Sequence, residues 1–419
     1  MIKLSPRPDS AKSPHNILLL SLVTTGHYPN YLQYLIRYWR EYKLQDNLYI
    51  LVVQEFLDKH TEVVNLAKTE RKNNIHFVSL KPEEEARLKL KNLKINQFIR
   101  DFQEWNLMCQ YIKSLAITNC LMMIVDRYLF SMIFGVKPTC PVSGIYYRFS
   151  LHYHQFENYQ PSRKEKIQHW REKLLLSTLL KQSHLNKLFL LDPLGVKYIN
   201  QNYSLQKAIY LPDPVRFFTP SKTKIEQLRT ALKINSNRKI FLLQGTLDDR
   251  RRGLDELLDA IHLLPSELCL KTCIILAGKA NPIKQAELES RITEICQSKP
   301  IQIIRRYEFI SEEEVHLYYH LADVVLSTHH RPIGMSGTLV LAASAEKPVL
   351  SSNYGLMGKM VQQYHLGVTI DSTQPNEIAK GLTQFLVQPE ITLCDRALMK
   401  NFAQQNSIDE FANVIFNHI

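Results

Sequence analysis

Arg331-Pro-Ile-Gly-Met-Ser-Gly-Thr-Leu-Val-Leu-Ala-Ala-Ser-Ala-Glu-Lys-Pro-Val349 is the stretch on which the fold turns. An apolar run ends before it at Leu326. A short loop then carries Gly334, Ser336 and Gly337, and the small residues from about Thr338 to Ala345 suit a helix. A new strand is expected from Pro348. Strand, glycine loop, helix, strand is one α/β unit. The loop runs into a helix N-terminus, where unpaired backbone N–H groups and aligned peptide dipoles attract an anion. The glycines let a ligand approach the backbone closely. An ordinary capped βα turn carries the same signature.

Apolar runs of this kind recur on both sides. Asn16–Val23, Asn47–Gln54, Ile75–Leu80, Cys120–Val125, Val142–Phe149, Lys187–Leu191 and Ala208–Leu211 read as buried parallel strands. A second series follows at Lys239–Gln244, Cys273–Ala277, Ile301–Arg305, Val324–Ser327, Val349–Ser351 and Val368–Ile370. Helical stretches lie between them, including Pro29–Tyr42, Asp101–Ala116 and Ser162–Leu180. The segment Leu211-Pro-Asp-Pro-Val215 separates the two series and is the expected domain boundary. Two domains also suit a chain of 419 residues. We expect two Rossmann-like, doubly wound α/β domains, 1–212 and 213–399, with a last helix in 400–419 packing back on the first. Such domains bind ligands at the carboxyl ends of their strands, in a cleft between them.

Composition narrows the function. Lysine and arginine number 52 against 40 aspartates and glutamates, an excess of 12 that suits an anionic partner. No zinc-finger or RNA-recognition spacing accompanies it, so nucleic acid is not expected. No run approaches the roughly 20 apolar residues of a membrane span. Met1–His15 is polar and reads as a loose leader, not a secretory signal, so a cytoplasmic protein is expected. The seven scattered cysteines read as reduced thiols. Two stretches raise a membrane surface as a partner: Leu88–Phe98 (LKLKNLKINQF), and Trp39 with Arg40 beside the core-facing Tyr31, Tyr34 and Tyr38. A solvated amphipathic helix is the alternative for the first.

Arg250, Arg251 and Arg252 follow the strand 239–244 and the turn at Gly245 and Thr246. Guanidinium groups fork onto phosphate oxygens. Both this loop and the Ser336 loop follow strands of one parallel sheet, so both should open on the same rim.

With these residues in place, the chain resembles the group 1 retaining glycosyltransferases, whose two-domain architecture is called GT-B. The resemblance is clearest from about 206 to 385. It rests on the boundary Leu211–Val215, on Gly245 with Arg252-Gly253, on Leu276–Lys279, and on Leu317–Ser327 followed by the loop, helix and Pro-Val segment. It implies that the first domain faces the acceptor and the second holds a nucleoside diphosphate sugar, without metal or other cofactor. Donor contacts would fall at Gly26, Gly245, Thr246, Arg251, Arg252, Lys279, Tyr307, Gly334, Met335, Ser336, Gly337 and Thr338. His27, Asp126 and Arg252 would serve catalysis, and His152 and His154 are further acceptor candidates. The family's two glutamates would fall at Ile333 and Leu341, which are apolar here. The expected activity is sugar transfer to an acceptor hydroxyl with retention, the leaving phosphate taking the acceptor's proton. The acceptor would be a glycan, a lipid-linked molecule or a small molecule. A non-catalytic nucleotide-binding, glycan-binding or partner protein of the same fold is the alternative. An epimerase of that fold is a third reading.

Overall fold

The computed structural model describes residues 14–68, 74–88, 94–203 and 206–419. The leader, and positions 89–93 of the basic-apolar run, lie outside the described residues. Seven strands form the first sheet: β1 (Asn16–Leu20), β2 (Asn47–Val52), β3 (Ile75–Ser79), β4 (Asn119–Met122), β5 (Val142–Tyr146), β6 (Leu185–Leu190) and β7 (Ala208–Tyr210). Six form the second: β8 (Lys239–Gln244), β9 (Thr272–Ala277), β10 (Gln302–Arg306), β11 (Val324–Ser327), β12 (Val349–Ser352) and β13 (Gly367–Ile370). Their orders are β3-β2-β1-β4-β5-β6-β7 and β10-β9-β8-β11-β12-β13, with parallel pairing throughout. The strands are largely apolar in their middles because helices cover both faces; β5 and β9 are buried at every position.

In each sheet the winding direction reverses once, between β1 and β4 and between β8 and β11. Loops diverge at such a point and leave a crevice at the strand ends. The loops after β1, β4, β8 and β11 are those that carry His27, Asp126, Arg252 and Gly334. The topology thus brings these four predicted residues to the two crossover points, while Lys279 and Tyr307 follow β9 and β10.

The last helix, Ile408–His418, packs on the first domain. Phe411 and Ile415 are fully buried in a core shared with Tyr31, Trp39 and Leu211. Phe416 lies against Tyr38 and Trp39 at centroid distances of 5.8 and 5.1 Å. Asn413 Oδ1 accepts from the Tyr38 hydroxyl at 3.2 Å, and the His418 carbonyl accepts from Asn186. This corrects the reading of Trp39 as an interfacial residue: at 2% exposure it lies under this helix. Arg40 donates to the Ala67 carbonyl at 2.7 Å. Truncation after Ser407 should lower stability by about 3–6 kcal/mol, from two large apolar side chains at roughly 1.5–3 kcal/mol each. It should also red-shift tryptophan emission as Trp39 meets water. Unchanged thermal and fluorescence profiles would refute this.

All seven cysteines are free thiols; Cys296 is exposed and the rest are buried. No described helix is long and apolar enough to cross a membrane.

Candidate functional site

The loop after β8 is built around Gly245 and Arg252. Gly245 has φ +126°, and a Cβ there would stand 2.1 Å from the Arg252 guanidinium, which lies directly on the glycine. Arg252 Nη1 donates to the Gln244 carbonyl at 2.8 Å, and its buried Nε has no hydrogen-bond partner. Burial lowers its pKa, with the Tyr319 hydroxyl and Asp249 acting the other way. No carboxylate pairs with it among the described residues, and a guanidinium stays protonated at any ordinary pH.

Arg251, two residues beyond Asp249, behaves differently. Its Nε and Nη2 donate to Asp249 at 3.0 and 2.8 Å, and its backbone N–H caps onto the same carboxylate. Those bonds hold Asp249 below the usual carboxylate range. Of the two arginines expected to contact a donor, Arg251 is thus tied to Asp249, whereas Arg252 forms no ion pair among the described residues; the neighbouring Arg250 forms none either but is exposed to solvent.

The loop after β11 is stitched to this one. Thr328 Oγ1 donates to the Arg252 carbonyl at 2.8 Å, and the His330 N–H donates to the Arg251 carbonyl at 2.6 Å. Tyr319, fully buried, has both Arg252 and Thr338 beside its hydroxyl. That places the guanidinium near the start of the helix Gly337–Ser344. Ser336 precedes this helix without a side-chain cap, so its first-turn N–H groups are not satisfied by Ser336. His329 was not anticipated, although it sits two residues past the end of β11. Burial and the nearby Arg252 lower its pKa to about 4, so it is neutral at pH 7.

Across the cleft, the first domain presents an aromatic cluster. The His27 ring lies 4.4, 4.7 and 5.0 Å from Tyr28, Tyr31 and Tyr147. Burial against these rings lowers its pKa, although one edge stays open to solvent. A Cβ on Gly26 would meet nothing within 4 Å, so space lies in front of this loop. Asp126 accepts from the Tyr147 and Arg148 N–H groups at 3.1 and 2.8 Å, and burial raises its pKa. It fixes the turn after β5 that carries Tyr147.

The two domains touch at Gly334. Its N–H donates to the Tyr153 hydroxyl at 2.7 Å, and a Cβ on it would lie 3.0 Å from the Tyr147 carbonyl. The predicted free amide of Gly334 is thus taken by a first-domain tyrosine. Met335 packs against the cores of both domains. Ile333 and Leu341, where carboxylates were expected, pack against the second-domain core.

Asp213 supplies a carboxylate nearby. Its Oδ2 is 3.8 Å from the position of a Cβ on Gly337, its Oδ1 accepts from the Tyr31 hydroxyl at 2.8 Å, and Asn406 Oδ1 accepts from its N–H. Burial pushes its pKa up to about 6. The folded state therefore holds a proton that the unfolded chain releases above its ordinary pKa of about 3.9. Its stabilising contribution is complete below that value and is lost as pH rises to about 6. Asp213→Asn should remove this pH-dependent loss, about 3 kcal/mol at roughly 1.4 kcal/mol per pKa unit. The check is the difference between wild-type and variant stability curves from pH 4 to 7; parallel curves would exclude it.

Other predicted residues stand apart. Thr246 is exposed on the same loop. Lys279 lies over the exposed Phe309 ring at 5.3 Å. The Tyr307 hydroxyl donates to Glu289 at 2.8 Å, and no described contact links it to Arg252. His152 is corrected as an acceptor contact: it is fully buried, stacked on Phe149, with Nε2 2.9 Å from Asp192. His154 Nδ1 meets the Leu151 carbonyl at 2.8 Å, in a 3-10 turn. No group of three or more His, Cys, Asp or Glu residues able to hold a metal occurs among the described residues.

A pocket of about 290 Å³ opens in the first domain beside His27 in sequence, at the ends of β1, β2 and β4. Thr24, Thr25, Glu85, Arg100, Glu104 and Arg127 line it. Arg127 is held there by Asp101 and Glu104 at 2.6 and 3.3 Å.

Residues 224–405 match the family described as Glycosyl transferases group 1. No curated protein matches the chain by sequence. Its fold is shared with a glycosyltransferase from Rickettsia africae (TM-score 0.67, 13% identity, 97% of this chain and 98% of that one). Sucrose-phosphate synthase from Thermosynechococcus elongatus is similar to the same degree (0.67, 14%, 96% and 98%). HepE of Anabaena, in a structure with UDP-glucose, shares the fold at a TM-score of 0.63 (14%, 96% and 100%). At these identities the structural likeness shows the fold alone. The sequence match falls on the domain that holds Gly245, Arg252 and the Gly334 loop, and that domain belongs to the group 1 glycosyltransferases, within a chain of GT-B architecture.

Proposed function

We propose that this protein transfers a sugar from a nucleoside diphosphate sugar to an acceptor hydroxyl with retention of configuration, without a metal. The observation that carries the reading is Arg252: a half-buried, unpaired guanidinium at the β8/β11 crossover, beside the N-terminus of the Gly337–Ser344 helix. Arg252 and the first-turn amides of that helix neutralise charge on the departing diphosphate, the largest electrostatic demand of the reaction. The leaving phosphate then takes the acceptor's proton, so no strong base is required. His27, neutral at pH 7, and the turn held by Asp126 form the opposite wall. The polar pocket at Thr24 and Arg127 receives an acceptor that is a glycan, a lipid-linked molecule or a small molecule. We place the reaction in the cytoplasm.

A second reading, a non-catalytic nucleotide- or glycan-binding protein, is favoured by Ile333 and Leu341, which leave no carboxylate at either expected position. The test is a thermal-shift panel of nucleoside diphosphates and sugar nucleotides, followed by donor-consumption assays on those that bind. Binding with turnover, and product retention read by NMR, supports transfer. Binding without consumption of any donor supports the second reading. Product epimerised in the absence of acceptor supports the third.

A further inference from the structure

The helix Arg163–Leu180 carries an apolar stripe on its outer face. Ile167, Trp170 and Leu174 are 69%, 66% and 51% exposed. At 100° per residue they fall within a sector of about 60°. The opposite face, with Glu172, Leu176, Leu179 and Leu180, is buried in the first-domain core. The same spacing puts Lys164 and Arg171 along one side of the stripe, Lys166 and Lys173 along the other, and Arg163 at its end. All five cations are exposed, and none forms an ion pair among the described residues. A soluble surface has no need to expose tryptophan between isoleucine and leucine.

The neighbouring helices extend the surface. Leu129–Phe134 packs against Arg163–Leu180 and also against Lys94–Ser114. Phe134, the last residue of the first, and Val136 just beyond it are exposed, as are Phe98 and Ile99 on Lys94–Ser114. Phe98, Phe130 and Phe134 follow one another in ring contact, at 5.5 and 6.2 Å. These four residues and the stripe make seven of the fifteen large apolar side chains exposed among the described residues, all in one helical layer of one sheet. Trp39 and Arg40, the sequence-based candidates, are under the last helix and on the Ala67 carbonyl, on the other face.

We propose that the outer face of Arg163–Leu180 docks the protein on an anionic lipid bilayer, with Trp170, Ile167 and Leu174 entering the headgroup boundary and the flanking cations meeting lipid phosphates. An apolar strip bordered by lysine and arginine is what that boundary accommodates. Unpaired cations on both flanks select a negative surface over an apolar protein groove. The helix starts at the interdomain rim, since Glu165 lies near Arg331 of the second domain. Docking would therefore set the cleft at the membrane. The inference gives a surface to the peripheral-membrane possibility and does not depend on transferase chemistry.

The experiment uses the full chain with vesicles of phosphatidylcholine, alone or with a third of phosphatidylglycerol. Trp39 and Trp105 are 2% and 0% exposed, so emission changes report Trp170. Cosedimentation and a blue shift of Trp170 should appear with anionic vesicles only. Each basic residue at such a surface contributes roughly fivefold in affinity. Lys164→Gln, Lys166→Gln, Arg171→Gln and Lys173→Gln together should therefore weaken binding by several hundredfold, about 600-fold if the contributions multiply. Ile167→Ser with Leu174→Ser should weaken it while keeping the tryptophan reporter. All six positions are exposed, and circular dichroism melts verify the fold. Vesicles that leave Trp170 unmoved overturn the proposal, as does equal binding by the charge variant. A blue shift that follows protein concentration without lipid overturns it in favour of self-association. Donor turnover in solution, without vesicles, is a separate readout and tests only the transferase reading.

Discussion

Arg252→Ala is expected to weaken nucleoside diphosphate binding roughly 30- to 150-fold, the about 2–3 kcal/mol of a charge-assisted contact between guanidinium and phosphate. Isothermal titration on the purified protein measures it. Loss of the guanidinium also removes the donor to the Gln244 carbonyl, so a modest fall in melting temperature should accompany it. Gly245→Ala tests whether position matters as much as charge. The new methyl would stand 2.1 Å from the guanidinium and must displace it, with every charge retained. Binding should fall at least tenfold, on the order of 1.4 kcal/mol, because the fork no longer reaches its phosphate geometry. Arg251→Ala is the control. Its guanidinium is tied to Asp249, so binding should change by no more than about threefold, the scale of an exposed ion pair. If Arg251→Ala and Arg252→Ala weaken binding equally, the loop acts as a diffuse basic patch and the assignment of Arg252 fails.

This contrast marks where sequence reading stopped. Three successive arginines after a strand announce a basic loop, but they do not say which one is tied up by a carboxylate. The answer depends on Asp249, whose side chain turns back onto the N–H and guanidinium two residues ahead. The strands were legible for a simpler reason. Parallel strands covered on both faces have continuous apolar centres, so runs such as CIILA and the IFLL of KIFLLQ stand out without periodicity. Short helices packed between them, Gln54–Lys59, Thr61–Lys68 and Leu129–Phe134, carry too few turns to show a pattern and were not foreseen. Trp39 was misplaced because its cover comes from Phe416, almost the whole chain away. The Tyr153–Gly334 contact was missed for the same reason: its partners are 181 positions apart, and no local signal marks either. Asp213 was read only as part of a proline-rich boundary. Its contact with Tyr31 follows from the linker running over the crossover of the first sheet.

Tyr153→Ala should be among the most destabilising single substitutions in the chain. The ring is fully buried where the domains meet, packed against Phe156, Tyr159 and Tyr354 at 5.0, 5.8 and 6.3 Å. Gly355 has φ +58° and would bring a Cβ within 2.6 Å of the ring, so the backbone of the second domain seats directly on the tyrosine. The hydroxyl accepts from Gly334, and the Leu356 backbone supports the same oxygen. Removing an aromatic side chain of this kind costs about 3–5 kcal/mol. Tyr153→Phe separates the two contributions. It keeps the ring but strands the Gly334 N–H, a loss of about 1–3 kcal/mol. Denaturant melts measure both. The functional consequence has a direction as well. Tyr153 holds the Gly334 loop against the first domain, and this contact positions the β11 loop relative to His27. In Tyr153→Phe the amide is released and the loop is less constrained, so a diphosphate binds a site that must first be ordered. Affinity should fall by a few-fold, about 1 kcal/mol of ordering. If affinity instead rises, the Tyr153 hydroxyl competes with phosphate for the Gly334 amide, and the closed contact is an obstacle to the donor, not a support for its site.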